Sequence, residues 1–318
     1  MKAIVIKEAG GPEKLLYEEV PRPELKPGWS LVKVKGFGIN HSEIFTRKGL
    51  SPTVKFPRIL GIECVGEIAE TSDPTRLPVG QKVVSIMGEM GRAFDGSYAE
   101  YTLLPNSQIY PVTTNLPWKT LATIPETYYT AYGSMLNLKL NQNDHVLVRG
   151  ASSGVGVAFL KLAKACYPGI KVIGTTRKKG EVEKMLNLGF DEIVIDEDGK
   201  LQTTTKYSKV LELIGPATMK DTFKHLEEGG IVCSTGELGN QWYLEGFDPI
   251  FDLAPNSYLT SFSSGNVTEE KLNQLFATIE EKKIDVQPAK VYRLEQVPEA
   301  HRYLESHHSL GKVIVLND

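Results

Sequence analysis

The chain has 318 residues, of which 41% are hydrophobic and 24% are charged, and its formal net charge is −3. A chain of this length and composition is expected to fold as a globular protein of about two domains. A charge this close to zero gives no reason to expect nucleic-acid binding, and no apolar run approaches the roughly 20 residues of a membrane-spanning helix. The three cysteines, Cys64, Cys166 and Cys233, are too widely spaced for a disulfide framework and favour a reducing, cytoplasmic location.

Short β-like runs separated by glycine and proline fill the first part of the chain. They cover residues 3–6, 30–36, 61–69, 82–86 and 98–103. Such runs between turn clusters are typical of strands. Residues 1–125 are therefore predicted to form a first, β-rich domain.

Strand-like and helix-like segments alternate over residues 126–265. Strands are predicted near 146–149, 171–175, 192–195, 209–213 and 230–234, and helices near 154–166, 180–188 and 216–227. This alternation predicts the α/β class, with a doubly wound parallel sheet. A helix over 268–282, with Thr268 as its N-cap, and a strand over 312–316 are predicted to follow.

A glycine-containing turn connects the strand near 146–149 to the following helix. The pattern Ala151-x-x-Gly154-x-Gly156 is a variant of the dinucleotide-binding fingerprint. The pattern alone is weak, because any tight strand-to-helix turn can use it, but the flanking strand and helix strengthen it. Backbone N–H groups at such a helix start bind phosphate. The predicted cofactor-binding residues of the turn are Ala151, Ser152, Ser153, Gly154, Val155 and Gly156.

The end of the next strand carries Thr176, Arg177 and Lys178, and no acidic residue occurs there before Glu181. Sites for NAD place an acid at this position to bind the ribose hydroxyl groups, whereas basic side chains attract the 2′-phosphate of NADPH. Thr176, Arg177 and Lys178 are therefore predicted to bind NADPH. The alternative is that these basic residues only solvate a loop.

Several ordered sequence blocks resemble the medium-chain dehydrogenase/reductase superfamily, in its zinc-independent quinone oxidoreductase branch. The blocks are residues 38–49, 57–66, 96–101, 130–132, the glycine turn and 229–236. The resemblance implies a GroES-like β-barrel catalytic domain over 1–125, completed by 266–318. It also implies a Rossmann NADPH-binding domain over 126–265 and an active site in the cleft.

The resemblance bears directly on metal binding, since a catalytic zinc needs about three Cys, His or carboxylate ligands. Asn40 stands where zinc-dependent members have a cysteine ligand, and Ile62 stands where they have a histidine. His41 and Glu63 alone cannot hold the metal, and the region from 85 to 100 has none of the cysteines of a structural zinc lobe. No metal site is therefore predicted.

Three residues are candidates for catalysis. Hydride reduction of a carbonyl builds negative charge on its oxygen, which needs a hydrogen-bond donor, and the amide of Asn40 is the first candidate. Arg47 is a second candidate, with a salt-bridged structural role as the alternative. By resemblance, Thr130 begins the helix that backs the nicotinamide, with a simple helix cap as the alternative.

Ile214, Gly215 and Gly236 are predicted to lie at the carboxyl edge of the parallel sheet, where doubly wound folds bind ligands. Their backbone groups are expected to meet the carboxamide and ribose of the nicotinamide. The segment 258–262 reads as an edge strand, which in this family pairs across a two-fold axis. A homodimer is therefore predicted.

The predicted function is zinc-independent, NADPH-dependent hydride transfer to a quinone or an α,β-unsaturated carbonyl compound. Two alternatives stay open. One is a metal-independent or atypical alcohol or aldehyde dehydrogenase of the same superfamily. The other is a non-catalytic NADPH-binding redox sensor. No nucleic-acid or membrane partner is expected.

Overall fold

The structure is a computed structural model that describes residues 1–306 and 308–317; His307 and Asp318 lie outside the described residues. The chain forms two compact units. Unit 1 comprises Met1–Thr127, Ser264–Gln274 and the chain from Val286 onward, and unit 2 comprises Tyr128–Ser263 and Leu275–Asp285. The predicted boundaries place Leu275–Asp285 in the first domain. The structure assigns it to unit 2, where Lys161 Nζ donates to the Asp285 carbonyl at 2.5 Å.

The strands follow one another through both units. In chain order they are β1 Lys2–Ile6, β2 Leu15–Glu19, β3 Trp29–Ile39, β4 Arg58–Ile59, β5 Glu63–Thr71, β6 Lys82–Ile86, β7 Tyr101–Pro105, β8 Tyr110–Pro111, β9 His145–Arg149, β10 Lys171–Thr176, β11 Glu192–Glu197, β12 Lys200–Leu201, β13 Tyr207–Glu212, β14 Leu226–Ser234, β15 Tyr258–Ser261, β16 Lys290–Arg293 and β17 Val313–Leu316. The β-rich pattern predicted for the N-terminal stretch is confirmed by β1, β3, β5, β6 and β7.

The helices are α1 His41–Arg47, α2 Trp118–Leu121, α3 Pro125–Leu138, α4 Gly154–Cys166, α5 Val182–Leu188, α6 Pro216–Lys224, α7 Glu269–Glu281 and α8 Val297–Glu305. Thr268 caps α7 as predicted, because its hydroxyl accepts from the Lys271 N–H at 3.2 Å. The predicted helix 216–227 is too long at its end, since β14 already begins at Leu226. Among the described residues, no helix has the length and apolarity needed to cross a membrane.

Unit 2 is built on one seven-stranded sheet. Its strand order is β12-β11-β10-β9-β13-β14-β15, and every neighbouring pair is parallel except β11–β12. This order, in which the chain steps outward from β9 in both directions, confirms the predicted doubly wound sheet. The carboxyl ends of β9, β10, β13 and β14 therefore share one edge, to which the predicted cofactor-binding residues belong.

Unit 1 contains a mixed sheet of order β16-β17-β3-β5-β6-β8, with β7 also paired to β3, and a smaller sheet β2-β1-β4. The predicted C-terminal strand is confirmed as β17. It runs antiparallel to β3, with Val313 opposite Ile39 and Ile314 opposite Gly38. This register brings Lys312, just before β17, beside Asn40, just after β3.

Helix α8 was not predicted from the sequence, although its buried residues have helical spacing. Its buried residues Val297, Ala300, His301 and Leu304 follow the i, i+3, i+4, i+7 spacing of an amphipathic helix. The buried face includes a histidine, a residue type that is usually polar and exposed. His301 is fully buried and makes two polar contacts in the core of unit 1.

Candidate active site

The glycine turn has the geometry of a phosphate cradle. Ser153 is the N-cap of α4, and its hydroxyl accepts from the Gly156 N–H at 3.1 Å. The first N–H groups of a helix have no acceptor within the helix, and no acceptor among the described residues faces those of Gly154 and Val155. Residues 152–155 are partly accessible, whereas Ala151 is buried. The turn can therefore receive an anion.

Close packing between helix and strand depends on small residues in this turn. A Cβ on Gly156 would lie 2.6 Å from the Ala151 carbonyl oxygen and 2.8 Å from its Cα. A Cβ on Gly174, in β10, would meet the Ala151 methyl at 3.1 Å. Gly150 has a φ of +86°, a conformation that glycine adopts readily. The small residues let the backbone chains approach one another at the predicted cofactor site.

The end of β10 carries mixed charge. Thr176 is buried, Lys178 is half-buried and Arg177 is exposed. Glu181 Oε2 accepts from Thr176 Oγ1 at 3.1 Å, and Glu181 Oε1 lies 3.4 Å from Lys178 Nζ. From the sequence, Glu181 was expected to lie beyond the position where NAD sites have an acid that binds the ribose. A 3-10 turn at Lys179–Glu181 instead folds it back against the strand end.

The loop after β13 and the loop after β14 meet at the same sheet edge. The buried carboxylate of Glu212 accepts from the N–H groups of Ile214 at 2.8 Å and Gly215 at 3.1 Å. Gly215 has a φ of +89°, and a Cβ there would lie 2.6 Å from the Gly236 carbonyl oxygen. The structure thus brings Ile214, Gly215 and Gly236 together, and their role in cofactor binding stays a prediction.

A buried arginine anchors this edge. Arg149, the last residue of β9, is 0% exposed and forms a bidentate pair with Asp196 at 2.8 and 3.1 Å. Its Nη2 also lies 3.1 Å from Asp221 Oδ2, and its Nη1 donates to Thr222 Oγ1 at 2.8 Å. Thr222 in turn donates to Glu212 at 2.5 Å. The network therefore links the end of β9 to the carboxylate that orders the loop after β13. The sequence pattern did not reveal it.

Thr130 does not begin a helix, so this prediction is wrong. Helix α3 begins at Pro125, a residue suited to a first helical turn, and Thr130 lies in the second turn. Ser134 Oγ donates to the Thr130 carbonyl at 2.8 Å and lies 2.9 Å from Thr235 Oγ1. This contact connects the Thr130 turn to the residue that precedes Gly236.

Asn40 lies in a polar cluster of unit 1, at the N-cap of α1. Its Oδ1 accepts from Lys312 Nζ at 2.6 Å. Its Nδ2 donates to Glu63 Oε1 at 2.8 Å and lies 3.4 Å from Glu43 Oε1. Its backbone N–H donates to Glu43 Oε2 at 2.7 Å. Both side-chain N–H groups are thus directed at carboxylates, which corrects the expectation of a free amide donor.

Arg47 stands at the other end of α1, in a separate network. It is 0% exposed, its Nη2 donates to both Glu305 oxygens at 2.8 and 2.9 Å, and its Nε donates to the Gly10 carbonyl. Its Nη1 lies 3.3 Å from His301 Nδ1. Because a guanidinium only donates, Nδ1 accepts, and the ring proton sits on Nε2 facing Tyr98 Oη. Burial lowers the pKa of His301 to about 3. Arg47 therefore fits the structural alternative and not the catalytic role.

Glu43 makes the stability of the fold depend on pH. Burial raises the pKa of its carboxyl from about 4.5 to about 7; the Lys312 ammonium opposes this shift and the Glu63 carboxylate adds to it. Between these two values the folded state holds a proton that the unfolded state has lost, so this contribution to stability falls as pH rises. We expect the stability of the wild type relative to Glu43→Gln to fall by up to about 3 kcal/mol from about pH 5 to about pH 8.

Urea denaturation of the wild type and of Glu43→Gln, repeated at several pH values from about 5 to about 8, measures their free energies of unfolding. Glu24→Gln, at an exposed position, is the matched control and should track the wild type throughout. A difference between wild type and Glu43→Gln that stays constant with pH would contradict the prediction.

The residues around Asn40 do not fit a catalytic zinc. The Ile62 side chain is a hydrocarbon, and the Lys312 ammonium already contacts oxygens of Asn40 and Glu63 at 2.6 and 2.5 Å. Within residues 1–306 and 308–317, no group of three His, Cys, Asp or Glu side chains is placed to hold a metal ion. Lys312 was not among the predicted site residues, because only the pairing of β17 with β3 brings it to Asn40.

Two family models match the chain. The alcohol dehydrogenase GroES-like domain matches residues 26–114, and the zinc-binding dehydrogenase domain matches residues 188–315. The chain is 27% identical over 332 residues to a quinone oxidoreductase of Pongo abelii, covering 99% of this chain and 98% of that protein. It is 24% identical over 344 residues to an acryloyl-coenzyme A reductase of Metallosphaera sedula, covering 99% of each.

Solved structures share the fold over the whole chain. A quinone oxidoreductase from Coxiella burnetii superimposes with a TM-score of 0.84 at 24% identity, covering 100% of this chain and 99% of that one. A mycobacterial protein in complex with NADPH also gives a TM-score of 0.84 at 24% identity, covering 100% of both chains. The relatives are oxidoreductases, and the Rossmann domain of their superfamily binds a nicotinamide cofactor. The chain belongs to the medium-chain dehydrogenase/reductase superfamily and is quinone oxidoreductase-like within it.

Proposed function

We propose that the protein is a zinc-independent, NADPH-dependent oxidoreductase that passes hydride to a quinone or an α,β-unsaturated carbonyl compound. The proposal rests on one observation: where zinc-dependent relatives bind metal, this chain has Asn40 and Glu63 in contact with the Lys312 ammonium. The names of two relatives, a quinone oxidoreductase and an acryloyl-coenzyme A reductase, support the substrate classes.

The residues of unit 2 have distinct parts in this proposal. The N–H groups of residues 152–155 hold the dinucleotide phosphates, and Ile214, Gly215 and Gly236 meet the carboxamide and ribose. Thr130 approaches the nicotinamide from α3, steadied by the contact between Ser134 and Thr235. When bound, the nicotinamide supplies the hydride.

The function is tested by following NADPH oxidation with quinones, enones, enals and simple aldehydes. We expect turnover with a quinone or an enone, and much slower reaction with simple aldehydes. A preference for aldehydes, or for alcohols with NADP, would instead support an alcohol or aldehyde dehydrogenase. Tight NADPH binding without oxidation by any of these acceptors would support a redox sensor.

Cofactor preference is proposed to come from the basic end of β10. Removing both charges in Arg177→Ala/Lys178→Ala should lower the NADPH-to-NADH ratio of kcat/KM by about 10- to 100-fold, since a hydrogen bond to a charged group contributes about 1.5–3 kcal/mol. Glu181→Gln should raise the ratio, because Glu181 repels a 2′-phosphate. Lys184→Ala, at an exposed position of α5, is the control. An unchanged ratio in the double variant would mean that these side chains only solvate the loop.

A homodimer is proposed through β15, the edge strand of the unit 2 sheet. Its Tyr258 is 63% exposed and its Leu259 is 41% exposed, and in the segment that precedes it in sequence Ile250 and Phe251 are more than 80% exposed. Exposed apolar side chains beside an unpaired edge favour association with a second copy. The compartment proposed is the cytoplasm, since Cys64, Cys166 and Cys233 are all free thiols.

Light scattering should give twice the mass of one chain at micromolar concentration. Leu259→Lys should shift the protein to the monomer, because like charges would then face each other across the two-fold axis. Leu186→Lys, at an α5 position that is also 41% exposed, should remain dimeric. A wild-type mass of one chain would rule out the dimer.

A further inference from the structure

We propose that the ammonium of Lys312 is the fixed cation of this site, taking the place of a metal ion beside the oxygens of Asn40 and Glu63, and that it is a positioning residue for the reaction. The first reason is geometric. Lys312 Nζ lies 2.6 Å from Asn40 Oδ1 and 2.5 Å from Glu63 Oε1. A zinc ion bound here would need the Glu63 oxygen at about 2.0–2.2 Å, where the ammonium already lies, so the two cations exclude each other.

The second reason is charge. Glu43 and Glu63 are 1% and 0% exposed, and Lys312 is 5% exposed. A carboxylate as fully buried as that of Glu63 needs a counter-charge. The ammonium supplies it, and Glu63 receives a further hydrogen bond from the Glu126 N–H at 2.8 Å. Glu63 is therefore neutralised by a monovalent cation that belongs to the chain itself.

The third reason is the space that the backbone leaves for the lysine. Gly38 lies in β3 opposite Ile314 of β17. A methyl group on Gly38 would overlap both the Cε of Lys312 and the Oε1 of Glu63. Because Gly38 has no side chain, the Lys312 side chain can lie beside the Glu63 carboxylate.

The contact has a direct consequence for Asn40. Because an ammonium only donates, Lys312 fixes the amide oxygen on its own side, and the amide nitrogen then faces Glu63 and Glu43. Lys312 thereby sets the orientation of the side chain that stands where zinc-dependent relatives have a ligand. The positioning part of this inference rests on the proposed function, whereas the cation part does not.

The cation part is tested first, on the wild-type protein. After equilibration with excess zinc and desalting, the wild type and the exposed-site control Lys33→Ala should both retain substoichiometric zinc. One zinc retained per chain by the wild type, with loss of that zinc on Glu63→Gln, would overturn the inference. This readout requires no substrate, so it stands even if the proposed function fails.

The positioning part is tested by chemical rescue. Lys312→Ala should reduce kcat about 100-fold with little change in the KM for NADPH. Propylammonium fits the space left by the lysine stem, and it should raise the kcat of this variant about tenfold or more. Propanol fills the same space without charge and should restore nothing, whereas a role in packing alone would be rescued equally by both. Lys33→Ala should retain wild-type turnover.

A double variant tests whether misfolding explains the loss of activity in Lys312→Ala. Lys312→Met/Glu63→Gln removes both charges while keeping the side-chain volumes, so it should unfold at nearly the wild-type urea concentration. Its kcat should stay about 100-fold low. Wild-type turnover in this double variant would show that Lys312 serves only to neutralise Glu63, which would overturn the positioning role.

Discussion

Replacing Arg149 with methionine is expected to lower the free energy of unfolding by about 3–5 kcal/mol. The guanidinium is fully buried against Asp196 and Asp221 and reaches Glu212 through Thr222. Methionine fills much of the volume but leaves these acids without their cation, and removing one partner of a buried ion pair costs far more than a surface pair contributes. The measurement is equilibrium urea denaturation.

Arg302→Met is the matched control for this prediction. Arg302 is 52% exposed and lies 3.7 Å from Glu299, so its loss should change stability by less than about 0.5 kcal/mol. Because Glu212 orders the loop after β13, Arg149→Met should also weaken NADPH binding under conditions where it remains folded. Equal stability of Arg149→Met and Arg302→Met would mean that the buried Arg149 network does not stabilise this edge of the sheet.

Replacing Gly156 with alanine is expected to weaken NADPH binding by at least about tenfold, or about 1.4 kcal/mol. The added methyl would meet the Ala151 carbonyl at 2.6 Å, and the atoms it meets are backbone rather than the flexible end of a side chain. The helix must therefore move away from the turn, which displaces the N–H groups proposed to bind the phosphates. The same overpacking should destabilise the fold by about 1–3 kcal/mol.

Fluorescence titration with NADPH measures this effect directly. Gly180→Ala is the control, because a Cβ at Gly180 meets nothing within 4 Å and the site lies just past the basic strand end. It should bind NADPH as the wild type does. An unchanged dissociation constant for Gly156→Ala would show that the cofactor phosphates do not depend on the close approach of α4 to the turn.

The features of unit 2 that repeat locally were the ones predictable from sequence. The alternation of apolar strands and helices predicted the doubly wound sheet, and the residues from Ala151 to Gly156 predicted the strand-turn-helix geometry. Loops at the carboxyl ends of neighbouring strands follow from the sheet order, so Gly215 and Gly236 could be expected to meet. These inferences need only sequence neighbours and a general rule of topology.

The features that depend on side chains far apart in sequence were not predictable in the same way. Lys312 reaches Asn40 only because β17 pairs with β3 in one particular register. Glu181 turns back on Thr176 through a short 3-10 turn that has no strong sequence signal. The sequence is compatible with either a catalytic or a structural role for Arg47, and its contacts with His301 and Glu305 favour the structural one. In each case the partner, not the residue type, determines the role.

The most direct test of the central proposal is turnover in metal-free protein. The enzyme is dialysed against a strong chelator, its metal content is measured, and NADPH oxidation by a quinone or an enone is followed before and after zinc is added. Because Lys312 supplies the cation of the site, we expect full activity without metal and no gain on adding zinc. Activity that is lost on chelation and restored by one zinc per chain would contradict the proposal.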